Sequence, residues 1–197
     1  MILIAAIALL VVSVVFLGGD LGSLAGLRLR HTWLIVFAFA VQLSVISVFP
    51  HVGEGVGRAV HLVSYLVAAA FVVANRRLPG MRLLALGGGL NLIAIFANGG
   101  VMPASAWAVR VAGRSIRAGE FANSRSVGSP RVPVLGDVFA IPRGWPFANV
   151  FSIGDLLLVA GAAVALHVIC QSRPARRRSH PGRHPGGQPM VSIGADS

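Results

Sequence analysis

With 197 residues, 55% of them hydrophobic and only 12% charged, and a mean hydropathy of +0.79, the chain is too apolar for a soluble domain, whose charged share is nearer about 25%. Its net charge of +11 comes from 17 arginines and no lysine, set between apolar runs, so the charge reads as a topology signal and nucleic acid is not an expected partner. The single cysteine, Cys170, excludes an internal disulfide and any multi-cysteine metal site, and reads as a small buried apolar residue.

Five apolar runs, 1–17, 32–50, 59–75, 81–97 and 151–171, each approach the roughly 20 residues that cross a bilayer. The expected fold is therefore all-α: a multi-pass helical membrane domain over residues 1–171 with five transmembrane helices. The first run, MILIAAIALLVVSVVFLGGD, lacks the positive start and small-residue cleavage site of a secretory signal, so it is expected to persist as a span. GGDLGSLAGLRLRH then forms a short interfacial turn, with Asp20 solvated, Arg28 and Arg30 near lipid phosphates, and no phosphate-loop spacing. Trp33 opens the second run as an interfacial anchor. HVGEGVGRAVH brings His51, Glu54 and His61 into one short segment, but its glycines and spacing fit a solvated loop better than a metal site. In the fourth run Gly87, Gly88 and Gly89 precede Asn91, a pattern of close helix contact, the alternative being a broken helix lining a cavity.

The arginines set the orientation. Arg28 and Arg30, then Arg76, Arg77 and Arg82, then Arg173, Arg176, Arg177, Arg178 and Arg183 all fall on one side of five spans. The positive-inside rule makes that side cytoplasmic, giving N-out and C-in. Residues 98–150 become one long extracytoplasmic loop, although Arg110, Arg114, Arg117, Arg125, Arg131 and Arg143 lie in it. The loop opens with ANGGVMPAS, a helix stop in which Asn98 caps in the left-handed region, Gly99 and Gly100 free the backbone, and Pro103 blocks resumption. Ser105 to Phe121 has the period of an amphipathic surface helix, and NSRSVGSPR reads as a flexible link. The tail, 172–197, is basic and rich in proline and glycine, so it is expected to be a disordered cytoplasmic segment whose Arg176, Arg177 and Arg178 touch anionic lipid.

Of the six acidic residues, Asp155 opens the last run, where the helix dipole favours an anion, and Asp137 precedes it. Two carboxylates meeting in a water-restricted cleft would share a proton and could divide acid and base roles. Alternatively Ser152 and Asp155 form a capping box and Asp137, after Gly136, occupies a turn. Trp145, Pro146 and Phe147 read as an aromatic belt at the helix entry, or as a lid.

Two resemblances follow from these motifs. The order GGDLG, LNLIAIFANGGVMP, VLGD and SIGDLLL resembles an uncharacterised family of small bacterial membrane proteins, domain of unknown function 5317, which implies a bacterial plasma membrane and supplies no activity. GLNLIA, VLGDVFAIP and WPFANVFSIGD are more distantly similar to the layout of lipoprotein signal peptidases, which implies an aspartyl membrane peptidase with Asp155 in the place of the second catalytic aspartate. At the first, Asn91 is present but Ala94 and Ile95 stand where that family has aspartate and arginine, so Asp137 would have to substitute.

The expected function is a binding or accessory role at the plasma membrane. Its outward-facing polar site comprises Asn98, Gly99, Gly100, Asp137, Ser152 and Asp155, with the bilayer and a membrane protein as partners and with no cofactor or metal. The alternatives are an aspartyl hydrolase using Asp137 and Asp155, and a small transporter whose polar path would draw on Gln42, Ser64 and Asn91.

Overall fold

Four of the five apolar runs become helices close to their expected limits. A computed structural model of the chain describes residues 2–44, 53–113, 124–126 and 128–172. Among these, the helices are α1 (Ile2–Phe16), α2 (Thr32–Leu43), α3 (Glu54–Ala74), α4 (Met81–Ala97), α5 (Ala106–Ala112) and α6 (Ile153–Ile169). Within the described residues α3 is the one helix long and apolar enough to cross a membrane, and α1, α2, α4 and α6 are shorter apolar helices. The fold is mostly helical rather than all-α, because the segment between α4 and α6 also folds four short strands: β1 (Met102–Ala104), β2 (Ser124–Ser126), β3 (Phe139–Ile141) and β4 (Asn149–Phe151).

The helices run alternately up and down, with one cluster of termini at each end. At one end Asp20 N donates to Cys170 O (2.8 Å), joining the exit of α1 to that of α6. There too Asn75, which caps α3, pairs with the backbone of Arg30, donating to its carbonyl at 2.9 Å and accepting from its N–H at 2.8 Å. Arg28, Arg30, Arg76, Arg77 and Arg82 therefore belong to one end of the bundle. At the other end the start of α3 meets the end of α4, where His61 Nδ1 lies 3.1 Å from Gly100 O. Between the ends, the Ser64 hydroxyl of α3 donates to Gln42 Oε1 of α2, so two side chains that could have lined a transport path tie helices together instead.

The tightest helix pair is α4 with α6, and glycine makes it possible. A Cβ on Gly87 would come 2.5 Å from Gly154 O, and one on Gly161 would come 3.0 Å from Gly80 O. Gly80 thus faces Gly161, and Gly87 faces Gly154, so the step between the glycines of one antiparallel helix matches the step on the other. Backbones approach where no side chain intervenes, and dispersion contacts gain accordingly. α4 is continuous through Gly87, Gly88 and Gly89; Gly87 provides the close contact, while a Cβ on Gly89 would meet nothing within 4 Å.

Three expectations are corrected. HVGEGVGRAVH is not a solvated loop over 54–61: α3 begins at Glu54, and His61 is buried against Gly100, the glycines being tolerated because the helix has a neighbour to pack on; His51 lies outside the described residues. The surface helix expected to reach Phe121 ends at Ala112, because Gly113 turns left-handed (φ 64°), and 114–121 lie outside the described residues. NSRSVGSPR is not wholly a free link, since Ser124–Ser126 pairs in parallel with β1.

Above α4 the segment from 98 to 152 forms its own small core. Ala104, Ala108, Ala112 and Val150 are buried together, with Val109 and Ala140 against them, so α5 covers one face of the antiparallel β3–β4 hairpin. Leu135 and Met102 pack onto Ala94 and Ile95, which seats this module on the end of α4.

Candidate functional site

The end of the α4–α6 pair away from Asp20 and Cys170 carries a buried polar knot directly beside the glycine contact. Ser152 stands one residue before α6, and its hydroxyl accepts from Asp155 N (3.0 Å) while Asp155 Oδ2 accepts from Ser152 N (3.0 Å). This is the capping box anticipated from SIGD, and it satisfies two backbone donors that a helix start leaves open. Asn91, one turn beyond Gly87 on α4, completes it: its Nδ2 donates to Asp155 Oδ1 (2.9 Å) and its Oδ1 accepts from the Ser152 hydroxyl (2.8 Å). Asn91 is 1% exposed and Ser152 0%, so these bonds are sheltered from water. Tyr65 of α3 packs at the same end of the bundle, against Ala94, Ile95 and Met102. Its ring meets that of His61 edge-on, with centroids 5.3 Å apart.

Asp137 belongs to the module's backbone rather than to a turn. Its N–H donates to Pro103 O (2.8 Å), its carbonyl accepts from Ser105 N (3.0 Å), and it bridges in parallel to Ala104 along β1. Gly136 permits this approach, since a Cβ there would come 3.0 Å from Pro103 Cγ and closer still to the Pro103 carbonyl. The side chain, 4% exposed, accepts from the Ser124 hydroxyl of β2. The Gly-Asp pair of VLGD is thus a device for closing the module, with the carboxylate buried beneath two strands.

Asn98, Gly99 and Gly100 end α4 by a Schellman closure: Gly100 N donates to Ile95 O (2.9 Å) and Gly99 N to Phe96 O (3.2 Å). The left-handed residue is Gly99 (φ 66°), whereas Asn98 has φ −108°, which corrects the expected left-handed cap at Asn98. Asn98 instead uses its amide. Nδ2 donates to Ala94 O (2.7 Å) and Arg131 O (2.9 Å), and Oδ1 accepts from Arg131 N (2.8 Å), so the backbone at Arg131 is fastened to the helix end. Gly100 passes against Arg58, where a Cβ would come 2.7 Å from that residue's own Cβ.

The six residues expected to form the site therefore divide. Ser152 and Asp155 join Asn91 in the knot, Asp137 lies under β1 and β2, and Asn98 to Gly100 close α4. Asn91 was missed as the partner of Ser152 and Asp155, and Tyr65 and His61 as a ring pair at the same end of the bundle. The available signal was their position within apolar runs, where a buried polar group needs a partner. Among the described residues no group of three or more His, Cys, Asp or Glu side chains has the arrangement to hold a metal ion. Arg176, Arg177 and Arg178, like the rest of the tail beyond 172, lie outside the described residues, as do Arg114 and Arg117.

With this geometry in hand, comparison with known proteins gives two matches. The model of a family of unknown function, DUF5317, matches residues 26–167, which span α2 to nearly the end of α6. An uncharacterized protein of Thermotoga maritima is 26% identical over 115 residues, covering 57% of this chain and 67% of that protein. No solved structure matches.

Proposed function

Because the chain belongs to the DUF5317 family, whose description carries no activity, we propose its role from its own geometry: a five-span protein of a bacterial plasma membrane, N-out and C-in, that presents the module 98–152 outside for a binding or accessory function. The alternating helices, the placing of Arg28, Arg30, Arg76, Arg77 and Arg82 at the end away from the module, and the outward Leu9, Phe37, Leu66, Leu86, Phe96 and Leu156 support the membrane reading. The observation that favours binding over chemistry is that both oxygens of Asp155 are occupied, one by Asn91 and one by the backbone of Ser152. A carboxylate so engaged fixes the helix entry and holds the module rigidly on the bundle.

Single cysteines introduced by Ser129→Cys and Ala25→Cys, each with Cys170→Ala, test this orientation. A membrane-impermeant maleimide should label Ser129→Cys on intact cells and Ala25→Cys after permeabilisation alone; the reverse pattern rejects it. For the role itself, Asp155→Asn should leave the protein folded and weaken recovery of a membrane partner after crosslinking. Unchanged recovery together with unchanged lipid binding would count against a binding site at Asp155.

A second reading is an aspartyl hydrolase like the lipoprotein signal peptidases, for which Asp137, bridged to β1, and Asp155, at the start of α6, lie at the same end of the bundle. That reading requires hydrolysis of a membrane-anchored peptide by the purified chain to disappear in both Asp137→Asn and Asp155→Asn. Activity surviving in either variant retires it.

A further inference from the structure

The β3–β4 hairpin has two unlike faces. Ala140 and Val150 point to α5 and close the module's core, whereas Phe139 and Phe151, paired across the strands, stack on the other face with centroids 5.3 Å apart. Phe139 remains 37% exposed even so. Beyond the strands the turn 142–148 carries Trp145 and Phe147, 70% and 55% exposed, beside the exposed Arg143. From Val138 to Gly154 there is no acidic residue.

The hairpin is also fastened at both ends. Arg143 N donates to Val111 O (2.8 Å), and the Arg143 side chain lies over Gly113, where a Cβ would come 2.6 Å from its Cδ. At its other end β4 reaches α6 through Ser152 alone, and the capping box locks that junction. Phe147 is held at φ 65°, a conformation that a bulky side chain rarely adopts and that the turn imposes.

We propose that this hairpin is a membrane-surface anchor: its tip, Trp145 and Phe147, enters the headgroup and upper acyl zone of the outer leaflet, with Arg143 on anionic lipid phosphate. The proposal rests on the five-span reading. Two things select lipid as the occupant. β4 passes through Ser152 directly into α6, whose Leu156, 49% exposed in the first turn, meets acyl chains on that reading, so the chain carries the hairpin's exposed aromatics beside the bilayer surface. A tryptophan and a phenylalanine beside an arginine with no neighbouring acid complement an anionic interface in both polarity and charge.

Single-tryptophan forms of the full chain provide the test. One keeps Trp145 (Trp33→Phe, Trp107→Phe) and one keeps Trp33 (Trp107→Phe, Trp145→Phe), both in phosphatidylcholine–phosphatidylglycerol vesicles whose lipid is brominated near the headgroup end of the acyl chains. Trp33, 63% exposed at the start of α2, reports whether the bundle is in the bilayer at all. The expected result is that Trp145 is quenched to the same degree as Trp33, and less by lipid brominated near the chain terminus. Quenching of Trp33 without Trp145, whether or not the Trp145 emission is blue-shifted, overturns the anchor and leaves the five-span reading standing. Absence of quenching at both positions overturns the five-span reading and the anchor with it.

Discussion

Asn91 is a residue whose side-chain amide uses donor and acceptor together, and in an apolar setting this gives it weight. Replacing it by leucine removes the partner of Asp155 Oδ1 and of the Ser152 hydroxyl in a place sheltered from water. Asn91→Leu should cost about 1–3 kcal/mol, read as a fall in Tm in detergent micelles, with helix content retained. An unchanged Tm would mean that the knot contributes nothing to stability. Part of this was legible beforehand: Ser152 and Asp155 have capping-box spacing, a local rule. Their tie to Asn91 was not, because a contact between residues so far apart in the chain is set by packing register, and no short motif encodes it.

At the scale of elements, glycine separates two kinds of behaviour within one helix. Gly154→Ala would place its Cβ 2.6 Å from Asn91 Cγ and 2.7 Å from Gly87 O, so α4 and α6 must part and the knot must open. We expect a loss of about 1–3 kcal/mol, the cost of overpacking. Gly89→Ala meets nothing within 4 Å and should raise stability by about 0.5–1 kcal/mol through helix propensity. The pair is checked by comparing Tm values in one detergent; equal shifts would show that the glycine seam is not a close contact. Helix positions were readable because long apolar runs dominate local preference, and the limits of α4 agree with expectation. The first turns of α3 were hidden by Gly53, Gly55 and Gly57, which suggest a loop when neighbours are unknown. β2 was hidden too: Ser-Arg-Ser has no strand pattern of its own and is recruited by the edge of β1.

For the whole molecule, length is the telling quantity. α4 and α6 have 17 residues each, about 25 Å of helix at about 1.5 Å per residue, against a hydrocarbon core of about 30 Å. On the five-span reading α4 and α6, unlike α3, are shorter than an average bilayer, and the membrane must thin around that pair at a modest cost for each ångström of mismatch. The protein should therefore unfold at a higher temperature in vesicles of short-chain phosphatidylcholine than in those of long-chain phosphatidylcholine. A Tm that rises with chain length would contradict the match between these helices and the bilayer.

Asn75 and Asn98 grip distant segments through backbone atoms alone, taking the N–H and C=O of Arg30 and Arg131 much as one peptide unit takes another. A latch of this kind is blind to the side chain it holds, which leaves both positions open to substitution while the crossing itself is kept. Arg30→Ala and Arg131→Ala should leave Tm unchanged, and Arg30→Pro or Arg131→Pro, lacking the N–H, should cost about 1–3 kcal/mol of stability, read as a fall in Tm. Sequence drift at these two arginines would thus be free to follow charge and surroundings, with geometry enforced from the asparagine side.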